Sequence, residues 1–225
     1  MRRIAIGDVH GCAKTLRTMV EDRIGWNTDD RLILLGDYVN KGPDSKAVLD
    51  YIAQLQTIAA ATGNIVTLRG NHDDIIIRKY VNPDWFHDAS RPGVAATLRS
   101  FGVDHVAEIP VQYIKQLEGL AMLHQEHDFI CVHASFDTAN ESPFTDYESM
   151  LWDRIEAVDM DVTGGRRVLS GHTPQTEIQI RHRLELGKII IDNGCVYPQR
   201  SGMGQLVAFD LDSYALTFQK NIDME

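Results

Sequence analysis

Apolar residues in this chain come in short runs, and the residues that close those runs are polar in a repeated way. Residues 3 to 7 form a run that stops at glycine and reads as a buried strand. Leu16, Met19, Val20 and Ile24 then fall at helical spacing over 13 to 24. Arg31 to Leu35 is a second buried run. Ser45 stands where a helix cap belongs, and Val48, Leu49, Ile52, Leu55, Ile58 and Ala59 make the stripe of a helix running to about residue 60. Asn64 to Leu68 is a third run, with Leu68 to Asp73 read as the loop at its end. Strand, helix, strand, helix, strand at about 30 residues per unit predicts a parallel sheet covered by helices.

The pattern changes between about 74 and 125. Helices are expected at 94 to 100 and at 110 to 120, the second opened by Pro110, and no good strand pattern intervenes. This stretch reads as a helical insertion lying over one edge of the sheet. Apolar runs return at Met122–His124, Phe129–Val132, Arg167–Ser170, Ile178–Arg181, Lys188–Asp192, Leu206–Asp210 and Tyr214–Gln219. Short strands joined by turns predict antiparallel hairpins in the second half. With no repeat, low-complexity tract or long linker, residues 1–225 read as a single domain.

Composition narrows the setting. A chain of 225 residues with 44% hydrophobic content supports one sizeable core. Three scattered cysteines, without CxxC spacing, argue against a disulfide framework or a zinc knot and favour a reducing cytoplasm. Met-Arg-Arg turns polar too quickly for a signal peptide, and no apolar run reaches membrane-spanning length, so no membrane partner is expected. A formal charge of -10 argues against nucleic acid polymers as partners. It leaves room for a small phosphorylated substrate, because bound divalent cations reverse the local field. Oligomeric state is left open.

The chemistry lies in the run ends: Gly7-Asp8-Val9-His10-Gly11, Gly36-Asp37, Gly70-Asn71-His72-Asp73, Val132-His133-Ala134 and Gly171-His172-Thr173. Taken singly, each aspartate fits a helix cap and each histidine a core position. Together they suggest a metal site. Asp8 and His10, two apart, face one side of an extended segment. Asp37 leaves the neighbouring strand, and a carboxylate can bridge two ions with its two oxygens. Asn71, His133 and His172 can complete a second ion. The mixed N/O set suits Mn, Fe, Zn or Co, and neither a thiolate site nor a calcium loop.

With Gly36-Asp37-Tyr38-Val39-Asn40-Lys41-Gly42, these signatures resemble the calcineurin-like metallophosphoesterases. More narrowly they resemble the bacterial and phage-type serine/threonine phosphoprotein phosphatases, as do Leu151-Trp152-Asp153-Arg154 and Ala95–Gly102. The resemblance implies an α/β four-layer αββα sandwich, helices outside two facing mixed sheets. It implies two divalent metals, manganese foremost, with iron, zinc, cobalt or nickel as alternatives. Asp8, His10 and Asp37 would hold one ion, and Asp37, Asn71, His133 and His172 the other. His72 would stand beside the leaving group. Arg154 and Lys41, with Asn71, would bind the phosphoryl oxygens. Asn40-Lys41 replaces the family's Asp-Arg. Asn40 can bond His72 without favouring its protonated form by charge, and Asp73 is expected to substitute in part beside His72. Tyr197, Trp85 and Trp152 are candidates for the substrate mouth, with Phe86 beside them.

The activity so implied is hydrolysis of a phosphomonoester, on a phosphoprotein or a small phosphorylated compound, by a metal-bridging hydroxide. The weakened support of His72 tilts this towards activated small substrates. One alternative is a symmetrical dinucleoside tetraphosphate hydrolase, a group expected to carry a larger C-terminal portion. Another is a metal-binding regulatory protein with little turnover.

Overall fold

The computed structural model describes residues 1–85 and 94–224. Three parallel strands, β1 (Arg3–Ile6), β2 (Arg31–Leu34) and β3 (Ile65–Thr67), form half of one sheet. The antiparallel hairpin β8 (Gln205–Asp210) and β9 (Leu216–Lys220) completes it in the order β3-β2-β1-β8-β9. The second sheet runs β4-β5-β6-β7, from β4 (Leu123–Gln125), β5 (Phe129–Val132), β6 (Arg167–Ser170) and β7 (Lys188–Ile190).

Period-two alternation explains the layering. Ile4, Ile6, Leu32 and Leu34 pack on one face of the first sheet with Leu16, Val48, Leu49 and Ile52. These come from α1 (Ala13–Thr18) and α2 (Ser45–Ile58). Ala5, Ile33 and Leu35 point the other way and meet Phe129, Cys131, Leu169 and Ile189 of the second sheet. The outer face of that sheet, Ile130, Val132 and Val168, is covered by Phe136 and by Met150 of α6 (Tyr147–Trp152). Two mixed sheets with helices outside make the αββα sandwich.

Several sequence expectations need correction. Ile178–Arg181 is not a strand but lies in α7 (Glu177–Arg183). Ile178 and Ile180 imitate strand alternation, yet Ile178 is 81% exposed and only Ile180 is buried. A reciprocal cap, Thr176 with Gln179, starts a helix there. As a crossover, α7 makes β6 and β7 parallel; β5 and β6 are parallel too, so among the described residues the antiparallel hairpins of the second half are β4/β5 and β8/β9, with β8 also antiparallel to β1. The cap of α2 is Asp44, whose carboxylate accepts from Ala47 N–H; Ser45 is the first helical residue and is fully buried. Leu68 to Asp73 is not all loop, because α3 (Asn71–Val81) begins at Asn71. Within 74–125 the structure places the expected helices as α4 (Ala95–Phe101) and α5 (Val111–Glu118) and also the rest of α3, while β4 falls on the expected run Met122–His124. Phe86 lies outside the described residues.

The chain is closed at a long distance. The Asp223 carboxylate accepts from Lys14 N–H at 2.9 Å, Thr15 N–H at 2.8 Å and the Thr15 hydroxyl at 2.6 Å. It therefore caps α1, for which Cys12 offers no side-chain cap. No helix among the described residues is long and apolar enough to cross a membrane.

Candidate metal centre

All the parallel strands of both sheets deliver their C-terminal ends to one place. Asp8 and His10 follow β1, Asp37 follows β2, Asn71 and His72 open α3 after β3, His133 follows β5 and His172 follows β6. The backbone there is unusual. His10, Asp37, Asn40, Lys41 and His172 have φ of 46°, 53°, 66°, 65° and 67°, and Tyr214 is the only other non-glycine residue described with positive φ. Such conformations persist where surrounding contacts enforce them.

Asp37 is the hub. Its Oδ2 lies 3.4 Å from His10 Nε2 and its Oδ1 3.5 Å from His133 Nε2, so each oxygen faces a different imidazole. Its Oδ1 also accepts from His72 N–H at 2.9 Å, at the positive end of α3. His10 Nδ1 sits 3.1 Å from the Val39 carbonyl and His133 Nδ1 2.9 Å from the Leu35 carbonyl. A carbonyl only accepts, so both rings carry their proton on Nδ1 and turn a bare Nε2 inward. Asn71 Oδ1 is 3.1 Å from His133 Nε2 and 3.1 Å from His172 Nδ1. Asp8 is held by the His172 N–H at 3.1 Å and reaches within 3.9 Å of His10 Nε2. A Cβ on Gly70 would collide with the Asp37 carboxylate, and one on Gly171 with that of Asp8. Glycine is therefore required at both approaches.

Electrostatics fit the same picture. Burial lowers His10 and His133, takes His172 down to about 3 and His72 to about 4, so the imidazoles are neutral. Burial pushes Asp37 up, but His133, His72 and His10, which carry charge only once protonated at low pH, outweigh it together with Lys41 and hold the carboxyl well below its usual range. Burial, Asp192 and Asp37 raise Asp8. Neutral imidazoles and carboxylates converging with bare lone pairs form a donor set for divalent cations. Two triads have ligand atoms within 4.8 Å of one another: His10, Asp37, His72 and Asp8, Asp37, His133. They share Asp37, which fits a dinuclear site.

The expected residues take these places. The Asn40 amide meets His72 Nδ1 at 3.2 Å. Asp73 does not touch His72: its carboxylate accepts from Asp37, Tyr38 and Gly70 N–H, each at 2.9 Å. It is spent on tying the Asp37 loop to the start of α3, which corrects its expected part beside the imidazole. Lys41 Nζ lies 2.7 Å from His10 Nε2, inside the site. Arg154 is exposed, yet its charge reaches His172 and Asp192. The half-buried Tyr197 ring lies 5.7 Å from Lys41 Nζ and 4.0 Å from the Arg200 guanidinium. Trp152 ends α6, with its backbone near His172. Trp85 packs 5.1 Å from Arg78 beyond the C-terminal end of α3, the opposite end from Asn71.

Three further residues were not anticipated. Asp192 is buried beside Asp8 and pushed up to about 6 by burial. It closes the run Lys188–Asp192 before Asn193-Gly194, the same signature as the others, so it was readable. Lys188 is buried, with Nζ donating to the Ala134 carbonyl at 2.8 Å and the Ile155 carbonyl at 2.6 Å. That ties the segment after Arg154 to the residue after His133. Thr97 touches Asn40, and no local signal announces it.

Comparison with known proteins places this geometry. Residues 1–185 match the family model described as calcineurin-like phosphoesterase. A symmetrical bis(5'-nucleosyl)-tetraphosphatase of Aromatoleum aromaticum is 32% identical over 133 residues, 58% of this chain and 42% of that protein. Serine/threonine-protein phosphatase 1 of Salmonella typhimurium is 24% identical over 208 residues, 85% of this chain and 86% of that one. A solved structure of a candidate diadenosine tetraphosphatase superimposes with a TM-score of 0.67 at 20% identity, covering 96% of this chain and 92% of that one. The stretch shared with curated relatives of about 30% identity spans less than half of their length.

Proposed function

The chain belongs to the calcineurin-like phosphoesterase family, and from that premise we propose that it is a two-metal hydrolase of dinucleoside tetraphosphates. The observation that carries this reading is the Asn40–His72 pair, in which an amide, not a carboxylate, supports the imidazole. A serine alkoxide leaves only with a full proton, whereas a diphosphate oxygen leaves with little help. Symmetrical cleavage of a dinucleoside tetraphosphate releases such a diphosphate. The tetraphosphatase relatives support the same choice. The phosphomonoester reading, first by sequence, becomes the second; the Salmonella phosphatase, matched over 85% of this chain, keeps it in play. A regulatory protein without turnover is disfavoured by the intact donor set.

We assign Asp8, His10 and Asp37 to one ion, and Asp37, Asn71, His133 and His172 to the other. Manganese is the first choice for loading, and iron, zinc, cobalt and nickel suit the same donors. When bound, the two ions supply an activated water and positive charge beside the phosphoryl oxygens. Lys41 and Arg154 add charge to the oxygens of the group being transferred, and Asn71 orients it. Lys41 does so as a point charge, without the fork of an arginine. His72 offers the N–H of its neutral ring to the leaving oxygen as a hydrogen-bond donor. Tyr197 borders the mouth on the Lys41 side. Three buried free thiols suit a reducing compartment, and the cytoplasm is the proposed location.

The test is a substrate panel with the full chain in added manganese: bis(5'-adenosyl) tetraphosphate, a phosphoserine peptide, 4-nitrophenyl phosphate and a phosphodiester. The tetraphosphate should yield only adenosine diphosphate, with the highest kcat/KM, and chelator should stop it. Faster turnover of the phosphopeptide would overturn the substrate assignment and leave the two-metal assignment standing.

A further inference from the structure

Behind His72 lies a buried cluster of amide and hydroxyl groups that runs from Asn40 to Thr97. Thr97, on α4, is buried with 1% of its surface exposed; Asn40 and His72 are equally enclosed, at 0% and 2%. The Asn40 backbone N–H donates to Thr97 Oγ1 at 3.0 Å and to Ser45 Oγ at 3.1 Å, and the two hydroxyls lie 3.2 Å apart. Thr97 has one proton to give, and it gives it to Asn40 Oδ1 at 2.6 Å. That fixes the amide. With Oδ1 engaged by Thr97, Nδ2 faces His72 Nδ1 at 3.2 Å.

An amide NH2 only donates, so His72 Nδ1 must accept. The single proton of the neutral ring then sits on Nε2. Were the amide reversed, Oδ1 would call for a proton on Nδ1 and leave Nε2 bare. In the reversed arrangement Thr97 would accept from both nitrogens of Asn40 and pass its own proton to Ser45. The 2.6 Å contact, shorter than any other in the cluster, favours the first arrangement. Asn40 at φ 66° and Lys41 at φ 65° form a left-handed pair that the same two hydroxyls brace.

We propose that Thr97 is a positioning residue that sets the tautomer of His72 through the Asn40 amide, keeping a donatable proton on Nε2. This deepens the reading in which His72 faces the leaving group with an N–H donor, and rests on it for its catalytic consequence. It also gives the stretch containing α4 a chemical role, since Thr97 and Asn40 are 57 residues apart in sequence.

The test compares wild type, Thr97→Val, Thr97→Ser and Ser45→Ala as full chains. The first readout is the long-range proton–nitrogen NMR correlation of the His72 ring in metal-free protein at neutral pH, assigned by its loss in His72→Gln. Wild type, Thr97→Ser and Ser45→Ala should show the Nε2–H tautomer, and Thr97→Val a large Nδ1–H population. Near-UV circular dichroism confirms that each variant is folded. The second readout is the dependence of kcat on leaving-group pKa. Thr97→Val should lose about tenfold with alkyl phosphates and less than about threefold with 4-nitrophenyl phosphate. If folded Thr97→Val keeps the Nε2–H tautomer, the inference is wrong. If the tautomer changes but the leaving-group dependence does not, Thr97 positions the ring as stated, and the donor role of His72 is what fails. Should Thr97→Val not fold, Thr97→Ala and Thr97→Cys, which also lack the hydroxyl, carry the same readouts.

Discussion

Asn40 donates its side-chain amide to Nδ1 of His72 across 3.2 Å, so a dipole and not a charge stands behind the imidazole. In Asn40→Asp, a carboxylate would accept from Nδ1–H and raise the His72 pKa from about 4 by about 1–3 units. Turnover of alkyl phosphates should rise about tenfold, and its pH profile should move towards neutrality. Aryl phosphates should change less than about threefold. Unaltered pH profiles for both substrates would show that Asn40 does not tune His72.

Asp37 offers one oxygen to His10 and the other to His133, at 3.4 and 3.5 Å. Asp37→Asn should therefore weaken the hold on both ions. Metal content by mass spectrometry should fall from two per chain to one or none, with turnover down by about a thousandfold or more. Full metal content in a folded variant would remove Asp37 from the bridging position.

Gly70 is required because any Cβ there meets the Asp37 carboxylate and backbone. Gly70→Ala should destabilise the fold by about 1–3 kcal/mol, the usual range for overpacking, and reduce metal uptake. Urea unfolding of the metal-free chain separates the two effects.

Lys188, bonded to the residue after His133, gives a pH prediction of its own. Burial takes it from the ordinary 10.5 to about 7. Between those values the unfolded chain keeps a proton that the folded chain has lost, so stability rises with pH across that window. Below about 7 both states are protonated and the fold bears the buried charge. Relative to Lys188→Met, the native protein should gain roughly 3 kcal/mol between pH 7 and pH 10 by chemical denaturation. A pH-independent difference would mean that Lys188 is neutral or hydrated throughout.

The alternating strands of the first sheet and the ligand-bearing run ends were legible because they are local: a strand's burial and the residue at its tip lie within a few positions. Asp192 obeyed the same rule and was passed over. Other features depend on distant partners. Ile178 and Ile180 alternate as in a strand, and only the Thr176–Gln179 cap and the burial of Ile180 against the sheet decide for a helix. Asn71 begins α3 because Asp73 and Asp37 satisfy the first N–H groups, and Asp37 follows another strand. The Thr97–Asn40 bond joins residues that no spacing relates.

Asp223 caps α1 from the far end of the described chain, 209 residues after Lys14. A contact of that separation closes a loop of 209 residues, and its entropy must be met before α1 is fully held. During synthesis the helix that follows Gly7–Gly11 thus waits, uncapped, until Asp223 has been added. The nascent protein should mature late, with the first ligand loop among the last parts to become rigid. Refolding of a chain cut after Lys220 should then reach a sheet-containing state with α1 unprotected in hydrogen exchange.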